Sequence, residues 1–130
     1  MFISEKKPVV FSVSAVMGHR RNDRNLVLSK WKSRCVKAGE IHEILSAADF
    51  SGDSSQVLNN FAYLGFFEVL TGGVLEVGDN IAGKSVSGEI IGFDEAHMPN
   101  HLNILLRCKG DKTGEELGLV LGQKFTAKKA

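Results

Sequence analysis

Residues 94–101 read Asp94-Glu95-Ala96-His97-Met98-Pro99-Asn100-His101, which sets two carboxylates and two imidazoles side by side. Carboxylate oxygen and imidazole nitrogen together suit Zn, Fe or Mn. Asp94, Glu95, His97 and His101 are therefore a candidate ligand set for a divalent transition metal. On a helix His97 and His101 would share one face, but Pro99 between them removes a backbone donor that the helix needs. The competing reading is a polar loop between two strands, its side chains bonded to their own backbone. His42, in a separate segment, would complete a metal site if the fold carried it there.

His19, Arg20, Arg21 and Arg24 form a dense basic cluster whose guanidinium forks could grip a phosphate or carboxylate, in a small ligand or in nucleic acid. Asp23 in its midst favours the plainer role of a solvated hairpin tip. Trp31 between Lys30 and Lys32 offers a stacking platform flanked by cations, with core packing as the favoured alternative. Gly78-Asp79-Asn80-Ile81-Ala82-Gly83-Lys84-Ser85 matches the phosphate-binding P-loop pattern letter for letter. A working P-loop opens a helix, and its acidic strand returns only after a crossover of roughly 30 residues. Here Asp94 follows too soon, and the glycines and β-branched residues between 86 and 93 predict strand, so no nucleotide is expected at 78–85. No Gly-x-Ser-x-Gly elbow or His-Glu-x-x-His motif is present, so the sequence gives hydrolase chemistry no support.

These groups sit in a chain of 130 residues, enough for one core, so one domain over 1–130 is expected, with frayed tails at 1–8 and 126–130. Sixteen Lys and Arg against fifteen Asp and Glu leave a net charge of +1, which gives a nucleic-acid partner no general support. No apolar run reaches the roughly 20 residues of a membrane-spanning helix, and the first residues carry charges early, so a cytoplasmic protein without a membrane partner is expected. Cys35 and Cys108 lack paired zinc spacing and are expected to be reduced, partly buried thiols.

The elements that must position the candidate residues are strands. Val9, Phe11, Val13, Ala15 and Met17 alternate with their neighbours, and a charged hairpin tip is expected before an apolar run at 26–32. Segments 33–36, 41–45, 61–70, 74–77, 86–93, 102–108 and 117–125 are predicted strands, and one short helical turn is allowed across 56–60 after a Ser54 or Ser55 cap. Phe61 to Leu70 is apolar on both alternating faces, as in a closed or double-layered core. A chain this small is expected to bury such a strand incompletely, which favours a homo-oligomer, a dimer first. The sum is an all-β, small single-domain barrel of about seven to eight short strands.

A long apolar strand leads through Thr71-Gly72 into Gly73-Val74-Leu75-Glu76-Val77-Gly78-Asp79, and a strand ending Ile90-Ile91-Gly92-Phe93 follows. Thr113-Gly114-Glu115-Glu116-Leu117-Gly118-Leu119 then turns toward the last strand. In this order and turn chemistry, residues 61–125 resemble the second-domain β-barrel of translation elongation factors. The resemblance implies a barrel scaffold and carries over no binding residue; the first sixty residues depart from the pattern and hold no GTPase domain. Three functions compete: a cytoplasmic binding or assembly module without catalysis, a small metal-dependent enzyme or sensor using residues 94–101, and an RNA or ribosome accessory protein.

Overall fold

Alternation of apolar and polar residues closes this chain into a barrel. The computed structural model describes residues 3–84 and 86–130. Its strands are β1 (Val9–Val16), β2 (Arg20–Arg21), β3 (Leu26–Val27), β4 (Ser33–Val36), β5 (Ile41–Ala47) and β6 (Val57–Leu58). They continue with β7 (Phe61–Thr71), β8 (Gly73–Glu76), β9 (Asn80–Gly83), β10 (Ser87–Asp94), β11 (Asn103–Cys108) and β12 (Lys124–Lys128). The main sheet runs β1-β12-β9-β10-β11-β5-β7 and closes where β7 pairs back onto β1, giving a seven-strand barrel with β2 as an extra strand on β7. Every neighbour in the ring is antiparallel except β5 and β11, which run parallel. Two short ribbons, β3–β6 and β4–β8, lie apart from the ring. Among the described residues there is no helix, hence none long and apolar enough to cross a membrane.

The strands divide their residues between two cores. Phe11, Ile44, Phe67, Phe93, Ile104 and Phe125 fill the barrel. Leu45, Phe61, Tyr63, Ile91 and Leu105 point outward and pack under Leu26, Leu28 and Leu58 of the β3–β6 ribbon and the chain beside it. Each such side chain contributes about 1.5–3 kcal/mol by leaving water, so the ribbon supplies a second hydrophobic layer. The two-faced pattern of β7 is therefore answered within one chain. The expected dimer rested on that outward face, and the ribbon removes this reason for it. Gly65 lets β7 approach β1 closely: its φ is +152°, and a Cβ there would overlap the Ala15 carbonyl oxygen.

Several sequence expectations need correction. No hairpin joins β1 to the 26–32 run, because both edges of β1 are taken by β12 and β7 and the short Leu26–Val27 segment pairs with β6 instead. Trp31 is 57% exposed and does not pack in a core. Cys35 is exposed while Cys108 is partly buried, and both thiols are free. The 56–60 helical turn is absent, since Val57 and Leu58 form β6. The last strand lies later than expected: Gly118 and Gly122 take positive φ, which breaks extended chain across 117–122, while Leu119 plugs the barrel. Neither tail is simply frayed. Residues 126–128 belong to β12, and the Lys6 ammonium is buried against Glu76 at 2.9 Å and against Asp79.

The P-loop look-alike folds as the sequence context predicted. Gly78 (φ +98°) and Asp79 make the turn between β8 and β9, and Gly83 ends β9, its N–H donating to Val86 O at 2.9 Å across the turn to β10. Ser85 lies outside the described residues. Among the described residues no helix follows Lys84, whereas the phosphate cradle of that motif opens one.

Candidate functional site

Strand register places the polar residues before any loop does. Asp94 on β10 is the partner of Asn103 on β11, Asn103 of Glu43 on β5, and Glu43 of Phe66 on β7. These four residues form one row across the outer face of the barrel, because each alternates with an inward side chain such as Ile104, Ile44 or Phe67. The next row, Leu105, Leu45 and Tyr63, lies in the outer hydrophobic layer. The polar row is thus the end of a dry face, and Asp94, Asn103 and Glu43 are all buried.

Two segments roof the row. The chain after β2 brings Arg24, whose Nε donates to Tyr63 Oη at 3.0 Å and whose terminal nitrogen lies 3.6 Å from Asp94 Oδ2. Asn25, at φ +51°, is anchored by its N–H to Asn59 Oδ1. His19 stacks on the Tyr63 ring with centroids 4.2 Å apart. From the other side comes the loop after β10, which contains a cis Met98–Pro99 bond. Its His97 and His101 rings stack at 5.0 Å, His101 meets Phe66 edge-on at 5.0 Å, and Arg24 reaches His97 Nε2 at 3.5 Å.

The hydrogen-bond inventory of the row is incomplete. Asn103 donates through Nδ2 to Asp94 Oδ2 at 2.8 Å, and Ala96 N donates to the other Asp94 oxygen. Asn103 Oδ1, in a wholly buried residue, has no partner, nor does buried His101 Nε2. The two lie near enough for Asn103 to favour the protonated imidazole, yet no bond of normal geometry joins them. Glu43 Oε1 stands 3.9 Å from His101 Nε2, beyond hydrogen-bond reach. Burial pushes the Glu43 carboxyl above the usual glutamate range; Asp94 adds to the push while His97, Arg24 and His19 oppose it. Burial also holds His101 below the usual histidine range, with help from His97 and His42.

Of the residues singled out by the sequence, the structure gathers Asp94, His97, His101, Arg24 and His19, and disperses Glu95, His42, Arg20 and Arg21. Glu95 turns away to Ser29 Oγ at 2.8 Å and Arg34 at 2.6 Å, and the Ser29 bond is the main cause of its lowered pKa. His42 faces the inner side of β5, where Nδ1 accepts from Leu102 N at 2.9 Å and Nε2 donates to Glu40 at 3.1 Å. Arg20 is paired with Glu116 and Arg21 with Asp23. Both line a surface cavity of about 390 Å³ with Asn60 and Asp111, and no residue of the row lines it. Among the described residues, no three His, Cys, Asp or Glu side chains converge closely enough to hold a metal ion.

Glu43, Asn103 and Tyr63 were not among the candidates from sequence. The signal was faint but present for Glu43, which puts a carboxylate into a strand whose other outward residues, Ile41, Leu45 and Ala47, are apolar.

The chain belongs to a family of unknown function, DUF6917, whose model matches residues 3–128. No curated protein and no solved structure matches it.

Proposed function

We propose that this member of DUF6917 is a binding module without catalysis of its own, and that it takes a small polar ligand on the outer barrel face at Asp94, Asn103, Glu43 and Phe66. The observation that carries the reading is the pair of orphaned buried atoms, Asn103 Oδ1 and His101 Nε2, with the Glu43 carboxylate 3.9 Å from the latter. A buried polar atom without a partner costs about 1–3 kcal/mol, and folds that retain one commonly do so where a ligand or water completes it. The likeness of residues 61–125 to the second-domain barrel of elongation factors supports a binding scaffold and says nothing of the ligand.

A fragment screen followed by backbone amide shifts in NMR tests this reading. Saturable changes should gather at residues 43, 101 and 103. Binders that shift only the Arg20 and Arg21 cavity, or none at all, would sink it. Two further arms address the rivals. RNA binding that weakens with salt and with replacement of Arg20, Arg21 and Arg24 would favour the accessory-protein reading. Stoichiometric Zn, Mn, Fe or Ni lost in a His97 and His101 double replacement would favour the metal reading.

A further inference from the structure

We infer that the ligand of this row is an organic cation that presents an ammonium group between Asn103 Oδ1 and Glu43; the inference rests on the binding site proposed above. Charge supplies the first step. Asp94 is matched by Arg24 and accepts two N–H groups, so it is satisfied. Glu43 has no such cation. The Asn100 amide nitrogen lies 2.7 Å from His101 Nδ1; with that nitrogen donating, Nδ1 accepts and a neutral ring carries its proton on Nε2. With Glu43 ionised, Arg24, Asp94 and Glu43 together leave one negative charge in a buried place, where an unpaired charge is costly.

Hydrogen-bond direction gives the second step. Asn103 commits its Nδ2 to Asp94 on β10, its oxygen has no partner, and its register partner on β5 is Glu43. Acceptors then face acceptors. His101 Nε2 lies beside them and bonds to neither. An ammonium group supplies the missing charge and up to three donors at once. Phe66 completes the recognition, since it is half-buried in the same row and offers a π surface to a cation. A carboxylate or phosphate ligand would meet Asp94 and Glu43 as like charges, and a neutral alcohol would leave Glu43 uncompensated.

Binding is coupled to protons in a stated direction. Burial raises the Glu43 pKa above the usual glutamate range, so a proton and a cation compete for the same carboxylate. Affinity for an amine therefore rises as pH climbs through the Glu43 titration, while the ligand stays charged up to about pH 9–10 like other alkyl amines. The groups facing Glu43 are His97, Arg24 and His19, which favour its ionised form, and Asp94, which opposes it, with His101 Nε2 at 3.9 Å.

Benzylammonium, benzyl alcohol and benzoate share a shape and differ in charge, so they separate the possibilities. In NMR titrations of the full chain, benzylammonium should saturate shifts at residues 43, 101 and 103, bind at least about tenfold tighter than the alcohol, and weaken at least about tenfold in a folded Glu43→Gln variant. Benzoate should not bind there. No saturation by benzylammonium, equal binding of the alcohol, or unchanged affinity in Glu43→Gln overturns the assignment. If benzoate or another fragment binds at the row instead, the cation is wrong and the binding site stands. If nothing shifts the row, both fall.

Discussion

Asn103 and Asp94 are joined by one 2.8 Å bond across a rung of the β10–β11 ladder, and that bond fixes which way the Asn103 amide faces. With its nitrogen spent on Asp94, the buried oxygen is left to whatever occupies the Glu43 side. Glu43→Gln places an amide donor there without changing shape. We expect the variant to be more stable than wild type at neutral pH by about 1 kcal/mol, the usual net worth of one added hydrogen bond, while it loses the proposed ligand. Urea unfolding of both proteins measures this. A variant less stable than wild type would show that the Glu43 carboxylate is already satisfied.

The same pair gives a pH dependence. Since the folded pKa of Glu43 is raised, the folded state holds its proton more tightly than the unfolded chain does. The stabilisation is complete below the ordinary glutamate range and is lost as pH rises through the folded value. The advantage of Glu43→Gln over wild type should thus grow from acid pH upward and then level off. His101, held low by burial, acts in the opposite sense as pH falls, and does so in both proteins. An advantage that shrinks with rising pH would contradict the direction assigned to Glu43.

Gly65→Ala should destabilise the barrel by about 3 kcal/mol or more, through a Cβ driven into the Ala15 carbonyl and a φ that side chains rarely adopt. Thermal unfolding is the measurement. A loss below about 1 kcal/mol would mean that β1 and β7 can part there without cost.

Leu58→Asp should lift the β3–β6 ribbon from the outer layer, since Leu58 is fully buried there. The uncovered residues Leu45, Phe61 and Leu105 would then seek other cover, so light scattering should detect larger species than in wild type, with increased binding of an apolar dye. Unchanged size and dye binding would show that the ribbon is dispensable to that face.

Titration with ATP and Mg²⁺ should give no saturable heat, and Lys84→Ala should behave as wild type, because Lys84 follows a strand and opens no helix. Tight binding lost in the variant would require a phosphate site of a different kind in the β9–β10 turn.

Much of the barrel was legible where alternation is strong. Val9, Phe11 and Val13 in β1 and Leu102, Ile104 and Leu106 beside or within β11 face the interior as their period of two requires. What the sequence could not convey is partnership. Nothing in Leu26-Val27 names Val57-Leu58 as its mate, and Arg34 and Leu75 are brought together by a pairing no local pattern encodes. The candidate site shows the same division. Residues 94–101 were visible because they are dense in chemistry, whereas Glu43 and Asn103 lie far apart in sequence and look like ordinary polar positions until register sets them side by side.

That register has a bearing on how the molecule comes into being. Asn103 and Glu43 meet across the parallel β5–β11 seam, where residues 60 apart in sequence, His42 and Leu102, already touch. A parallel junction cannot be made by a tight turn, and contacts of such separation come late and slowly because chain entropy must be lost first. Asp94 and Asn103 can find each other within their hairpin, as can no residue of β5. The polar row is therefore born at the moment the ring is completed, and the proposed ligand would reward completion by mass action. A chain that has formed its hairpins but not joined them carries every residue of the site and has no site.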